Sequence, residues 1–89
     1  MRFEWDERKA ESNLLKHGVS FEEGRSVFRD TLSVILPDED HSIDERRWQA
    51  LGMSDRQRIL VVCFGERGRA IRLTSARKAT KREIKQYES

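Results

Sequence analysis

The chain has 89 residues, which is enough for one domain (residues 1–89) and too few for two cores. Hydrophobic residues make up 36% and charged residues 38%, so we expect a small core under a highly charged surface. No segment approaches the roughly 18 apolar residues of a membrane span, and the charged start is unlike a signal peptide. These features indicate a soluble, cytoplasmic protein. The single cysteine, Cys63, excludes an intramolecular disulfide and a cysteine-rich metal site.

The net charge of +2 conceals two halves of opposite charge. Residues 1–45 contain 6 Lys or Arg and 12 Asp or Glu, a balance of −6, whereas residues 46–89 contain 12 and 4, a balance of +8. Such asymmetry indicates a polyanionic partner for the basic half. Pairing of the two halves with each other inside one domain explains it equally well.

Two helices are predicted in the first half of the chain. The first covers residues 6–17, with acidic residues in its first turn and Gly18 as its C-terminal stop. The second begins at a capping box in which Ser20 accepts a backbone N–H and Glu23 reaches back. Its predicted core residues are Phe21, Val27 and Phe28.

The second half predicts four strands and a last helix. The strands cover 32–36, which Pro37 ends, then 47–53, 59–64 and 70–75, where the third is apolar on both faces and therefore central. A second capping box, Thr80 with Glu83, opens the last helix. Tight turns between the strands favour an antiparallel meander. The predicted fold class is α+β: two N-terminal helices, a four-stranded, mainly antiparallel sheet and a C-terminal helix.

Three segments carry a family resemblance when taken together. They are F-E-W-D-E-R-K-A-E-S-N-L-L-K-H-G-V-S-F-E-E from Phe3, D-H-S-I-D-E-R-R-W-Q-A-L-G from Asp40, and I-R-L-T-S-A-R-K-A-T-K-R-E from Ile71. In this order they resemble the BrnT toxins of bacterial type II toxin–antitoxin systems. The resemblance implies a RelE-like fold and an endoribonuclease that arrests translation. It also implies neutralisation by a BrnA-type antitoxin in a heterotetramer with a dimeric antitoxin at its centre, which alone contacts operator DNA.

Ribonucleases of the RelE-like kind work without a metal or other cofactor. The ribose 2′-hydroxyl attacks the adjacent phosphorus, so the protein must neutralise charge on the phosphate oxygens and move two protons. Arginine suits the first task because its planar fork meets two phosphate oxygens at once. The resemblance places Arg67 and Arg77 at the basic positions most closely tied to activity.

His17 is the candidate acid–base residue because its ordinary pKa allows it both to accept and to give a proton. A histidine just before Gly18 could instead cap the carbonyls of the first helix. Further basic residues are candidates for RNA binding, although Lys16 also suits an ordinary exposed helix end. The RNA-binding candidates are Lys16, Arg72, Lys78, Lys81 and Arg82.

Other residues favour structural roles. Cys63 suits a small core position, and Trp5 and Trp48 suit the core or its rim better than base stacking. The acidic segment 38–44 matches no calcium loop and is expected to be a solvated loop, with His41 exposed in it.

Two other classes of function remain open from the sequence. The chain could be a basic subunit that binds RNA or DNA without catalysis, or a structural partner whose basic half holds an acidic peptide. Cleavage of RNA and growth arrest would separate the toxin from both.

Overall fold

The computed structural model describes residues 2–38 and 46–89. Within them, the elements in chain order are β1 Arg2–Glu4, α1 Glu7–His17, α2 Phe21–Ser26, a 3₁₀ helix Val27–Arg29, β2 Val34–Pro37, β3 Arg47–Met53, β4 Ile59–Arg67, β5 Ala70–Lys78 and α3 Lys81–Glu88. The five strands form one sheet in the order β1-β5-β4-β3-β2, with β1 parallel to β5 and all other pairs antiparallel.

The ends of α1 confirm the predicted signals. The Asp6 side chain accepts a hydrogen bond from the Arg8 N–H, so an acid caps the positive end of the helix. Gly18 ends α1 with φ at 69°, a left-handed conformation that favours glycine, and its N–H donates to the Leu14 carbonyl at 2.8 Å. The chain can therefore turn directly into α2.

The capping box predicted for α2 is half wrong. Ser20 does accept from the Glu23 N–H at 3.0 Å, but the Glu23 carboxylate does not reach back to the helix start. Instead it lies buried and accepts hydrogen bonds from Arg58 Nε at 2.9 Å and Ser54 Oγ at 2.7 Å. A buried carboxylate is stabilised most by a charged donor, and the Arg58 guanidinium lowers the pKa of Glu23. Glu23 therefore fastens α2 to the β3–β4 turn.

The sheet has five strands where the sequence predicted four, because Arg2–Glu4 was not recognised as a strand. Three residues are too short to show a period-2 pattern, and β1 forms only by pairing with distant β5. Strands β4 and β5 are also longer than predicted, and only Gly68 and Arg69 turn between them. Pro37 is the last residue of β2 rather than the residue after it. An edge strand tolerates proline, which lacks an N–H, because backbone groups on its outer side need no strand partner.

The main core lies between the sheet and helices α1 and α2. In one row across the sheet, Ala50, Val62 and Ala76 are fully buried, and Phe21 and Val27 pack against the same cluster. The predicted core residue Phe28 is partly buried there. Trp5 and Trp48 also pack against this cluster, as expected for the core or its rim. Because side chains alternate along strands, the next row of residues faces away from α1 and α2.

Candidate active site

The sheet face turned away from α1 and α2 carries a polar row, and we call it the open face. Gln49, Cys63 and Ser75 are direct neighbours across β3, β4 and β5. Arg47 and Arg77 share this face because each lies two residues from a member of the row. The residues of the open face used below are Arg47, Gln49, Cys63, Ser75 and Arg77.

Helix α3 covers one end of the open face. Leu51 and Val61 are neighbours on this face and are only 3% and 2% exposed, although α1 and α2 lie on the other side. α3 contacts β3 and is tied to the rest of the domain through the Tyr87 hydroxyl, which donates to Asp30 Oδ2 at 2.6 Å. No residue of α3 is itself buried. Helix α3 therefore shields Leu51 and Val61 from solvent, whereas the polar row beside it remains partly accessible.

Arg77 connects the open face to α3. Its Nη1 and Nη2 donate to Glu83 Oε1 and Oε2 at 2.8 Å and 3.0 Å, which is a bidentate pair. The Arg77 guanidinium lowers the pKa of Glu83 from 4.5 to about 2, so the glutamate is ionised at neutral pH. Both halves of the predicted Thr80–Glu83 capping box are present, as Thr80 Oγ1 accepts from the Glu83 N–H and Oε1 accepts from the Thr80 N–H.

Cys63 lies half-buried on the open face, so the expectation that it is a core residue is wrong. Strand β4 is buried on its other face, and the row of small and polar neighbours leaves Cys63 partly accessible. Burial raises the pKa of its thiol, against the opposing effects of Ser75, Arg77 and Arg47. A thiol that stays protonated is a poor nucleophile, so the basic residues around it are the chemically relevant groups.

The basic residues next to Arg77 extend the charged surface from the sheet onto α3. Lys78 ends β5, and Lys81 and Arg82 form the first turn of α3; all three are exposed. Four of the eight predicted site residues, Arg77 included, therefore meet at one end of β5.

Arg67 and Arg72 lie at the other end of the sheet. Arg67 is paired with Ala70 and Arg77 with Val61, so the two arginine positions lie six residue steps apart along β4, or roughly 20 Å at 3.3 Å per residue. Arg67 and Arg72 line a shallow cleft with Glu4, Trp5 and Asp6. Because Arg77 is bound to Glu83 on α3, Arg67 and Arg77 belong to separate parts of the basic surface.

His17 and Lys16 lie at the outer edge of β5. Both line a cleft with Thr74 and Ser75, and His17 is half-buried there. Ser75, which lines this cleft, also belongs to the polar row. The predicted acid–base residue His17 therefore lies beside β5 at the edge of the sheet.

Sequence reasoning missed Gln49 and Ser75. Ser75 and Gln49 were hidden because neither residue type signals chemistry by itself. The period-2 alternation would have grouped Ser75 with Arg77 once β5 was known to continue to Lys78.

Among residues 2–38 and 46–89, no group of three or more His, Cys, Asp or Glu could hold a metal ion. The predictions for His41 and for most of the acidic segment, residues 39–44, lie outside the described residues.

The open face offers guanidinium and hydroxyl donors and a rim of exposed cations, and His17 lines a cleft that includes Ser75. Such a set can bind a phosphodiester and stabilise charge on its oxygens. None of the helices within residues 2–38 and 46–89 has the length and apolar character that spanning a membrane requires.

Comparison with known proteins identifies relatives of the chain. Residues 5–83 match the family model described as the ribonuclease toxin BrnT of type II toxin–antitoxin systems. Among solved structures, the ribonuclease toxin BrnT of Brucella abortus is similar, with a TM-score of 0.71 and 26% sequence identity. The match covers 91% of this chain and 99% of the Brucella chain. No curated protein sequence matches the chain significantly.

Proposed function

This chain belongs to the BrnT family of ribonuclease toxins of type II toxin–antitoxin systems, and from that premise we propose that it is a metal-independent endoribonuclease whose active site is the open face. Its substrate is cytoplasmic RNA, and its cleavage arrests translation and growth. We further assign its sheet and helices to the RelE-like fold.

The observation that carries the proposal is the setting of Arg77. Its guanidinium is fixed by Glu83 at the end of a polar row, next to Lys78, Lys81 and Arg82. A preoriented guanidinium stabilises the charge that grows on phosphate oxygens without reorganising during the reaction. A rim of exposed cations supplies attraction for the flanking phosphates of the RNA strand.

The proposed reaction forms one bond and breaks one. The ribose 2′-oxygen attacks phosphorus and loses its proton, while the bond from phosphorus to the 5′-oxygen breaks and that oxygen gains a proton. The products are a 2′,3′-cyclic phosphate and a 5′-hydroxyl. Arg77 stabilises the phosphate charge, and His17 exchanges a proton with the 2′- or the 5′-oxygen. Lys78, Lys81 and Arg82 bind flanking phosphates.

The remaining predicted residues take supporting roles. Arg67 and Arg72 lie at the other end of the sheet from Arg77, so we assign them to a more distant part of the RNA. Lys16, which lines the same cleft as His17, contacts the RNA at the outer edge of β5.

Membership of a toxin–antitoxin family implies an antitoxin partner. We propose a BrnA-type antitoxin that forms a heterotetramer around its own dimer and alone contacts operator DNA. Expression of this chain should stop growth, and co-expression of the antitoxin encoded beside it should restore growth. Growth unaffected by the chain alone would argue against the toxin.

RNA cleavage in the presence of a chelator tests the enzymatic part. The purified protein should cut RNA with excess EDTA present and leave 2′,3′-cyclic phosphate ends. RNA that is bound but stays intact would favour a non-catalytic binding subunit instead. Cleavage that disappears on chelation and returns with a divalent cation would contradict the proposed chemistry.

A further inference from the structure

The pairing of Arg77 with Glu83 leaves one edge of the guanidinium open. A guanidinium has two forks, one formed by Nη1 and Nη2 and the other by Nε and Nη2. Glu83 occupies the first fork, and the Lys78 carbonyl lies 3.4 Å from Nη1. None of the hydrogen bonds formed among the described residues uses Nε. The second fork can therefore meet two oxygens of a phosphate while the first stays occupied.

Glu83 is held in place independently of Arg77. Its backbone N–H donates to Thr80 Oγ1 at 3.2 Å, and its carboxylate accepts from the Thr80 N–H at 2.8 Å. The carboxylate is therefore fixed at the start of α3, and Arg77 is oriented against a rigid group rather than against a mobile side chain.

We propose that Glu83 is a positioning residue that presents the Nε–Nη2 edge of Arg77 to the scissile phosphate. This inference rests on the proposed function, since it takes Arg77 to be the group that stabilises phosphate charge. The gain is orientation: an arginine side chain has many rotamers, and the fixed carboxylate selects one before RNA arrives.

The proposal predicts opposite effects on turnover and on binding. Glu83 is a negative charge beside a site for a polyanion, so its removal should strengthen RNA binding or leave it unchanged. The same removal frees Arg77 to adopt other orientations, which should lower turnover. A residue that merely supports the fold would not tighten binding while slowing the reaction.

Glu83→Gln is the informative variant because glutamine can retain the capping box while losing the charge. Thr80→Ala is the matched control, since it removes only the Oγ1 acceptor of the Glu83 N–H, while the backbone N–H of residue 80 still binds the carboxylate that pairs with Arg77. We expect kcat of Glu83→Gln to fall about tenfold with no rise in KM, and Thr80→Ala to change kcat less than about twofold. Affinity for an uncleavable RNA with a 2′-deoxy residue at the cut site should be equal or tighter in Glu83→Gln.

Two further measurements separate this inference from the proposed function. In an Arg77→Ala background, Glu83→Gln should cause no additional loss. In the wild-type protein, the Arg77 Nε–H NMR signal should shift when the 2′-deoxy RNA is added, a readout that needs no variant to fold.

Each alternative outcome overturns the inference in a recognisable way. If Arg77→Ala abolishes cleavage while Glu83→Gln keeps the wild-type kcat, the proposed function stands and the positioning role fails. If Glu83→Gln raises kcat, Glu83 competes with phosphate rather than positioning the arginine. If Thr80→Ala loses as much as Glu83→Gln, the effect belongs to the helix cap. If Arg77→Ala is fully active, the proposed site itself is wrong.

Discussion

Replacement of Asn13 tests how the free edge of β5 is held next to the open face. Beyond Arg72, no strand among the described residues pairs with the outer side of β5, since β1 pairs only with residues 70–72. Asn13, buried on α1, fills part of that place with its side-chain amide. Its Nδ2 donates to the Ala76 carbonyl at 2.8 Å and to the Val19 carbonyl at 2.9 Å, and Oδ1 accepts from the Ala76 N–H at 3.1 Å.

The magnitude follows from these three hydrogen bonds. Asn13→Ala leaves two carbonyls and one N–H buried without partners, which should cost about 3 kcal/mol at about 1 kcal/mol for each bond. Asn13→Asp should cost more, about 4 kcal/mol, because a carboxylate faces two carbonyl oxygens and cannot donate to them. Protonation lets the aspartic acid donate one bond, so its destabilisation should shrink as the pH falls.

Urea unfolding followed by circular dichroism measures these free energies. Ser12→Ala is the matched control, because Ser12 is the exposed neighbour on α1 and should change stability by less than about 0.5 kcal/mol. The interpretation of Asn13 would be refuted if Asn13→Ala were as stable as Ser12→Ala, or if Asn13→Asp were the more stable of the two Asn13 variants.

Two further predictions concern the ionised pairs of the domain. Glu23→Ala should lower the free energy of unfolding by about 3 kcal/mol, because it leaves the Arg58 guanidinium without its carboxylate; urea unfolding that matches the wild type would contradict this. Because the pKa of Glu83 is lowered from 4.5 to about 2, its pair with Arg77 stabilises the fold fully above pH 4.5, and that contribution is lost as the pH falls toward 2. Since Arg77 is 36% exposed, we expect the pair to contribute about 2 kcal/mol at most to the free energy of unfolding. The difference in this free energy between the wild type and Arg77→Ala should therefore narrow in acid. A difference that stays constant with pH would refute the prediction.

The elements predictable from the sequence were those with local signals. Asp6 and Gly18 mark both ends of α1, and the Thr80–Glu83 box marks the start of α3, because caps depend on residues within one turn. Strand β3 has the predicted bounds, Arg47–Met53. Strand β1 could not be found in this way, since its pairing with β5 joins residues far apart in the sequence.

The candidate site was predictable in kind but not in arrangement. Basic residue types near the C-terminus indicated a phosphate partner, and Arg77 does lie among cations. Which basic residues lie close together depends on strand register. Arg67 lies at the opposite end of the sheet from Arg77, although both belong to the basic half of the sequence. The partner of Glu23 was equally hidden, because Arg58 is brought to it only by the folded β3–β4 turn. Pairings set by tertiary contacts leave no local pattern.

The proposed cleavage of RNA on the open face through Arg77 is tested by comparing two arginine variants. Arg77→Ala and Arg69→Ala each remove one positive charge, but Arg69 is exposed in the β4–β5 turn at the far end of the sheet. With both variants shown to be folded and EDTA present, Arg77→Ala should lose about a hundredfold or more in RNA cleavage. Arg69→Ala should stay within about threefold of the wild type. Equal cleavage by the two variants would show that Arg77 has no specific role in cleavage.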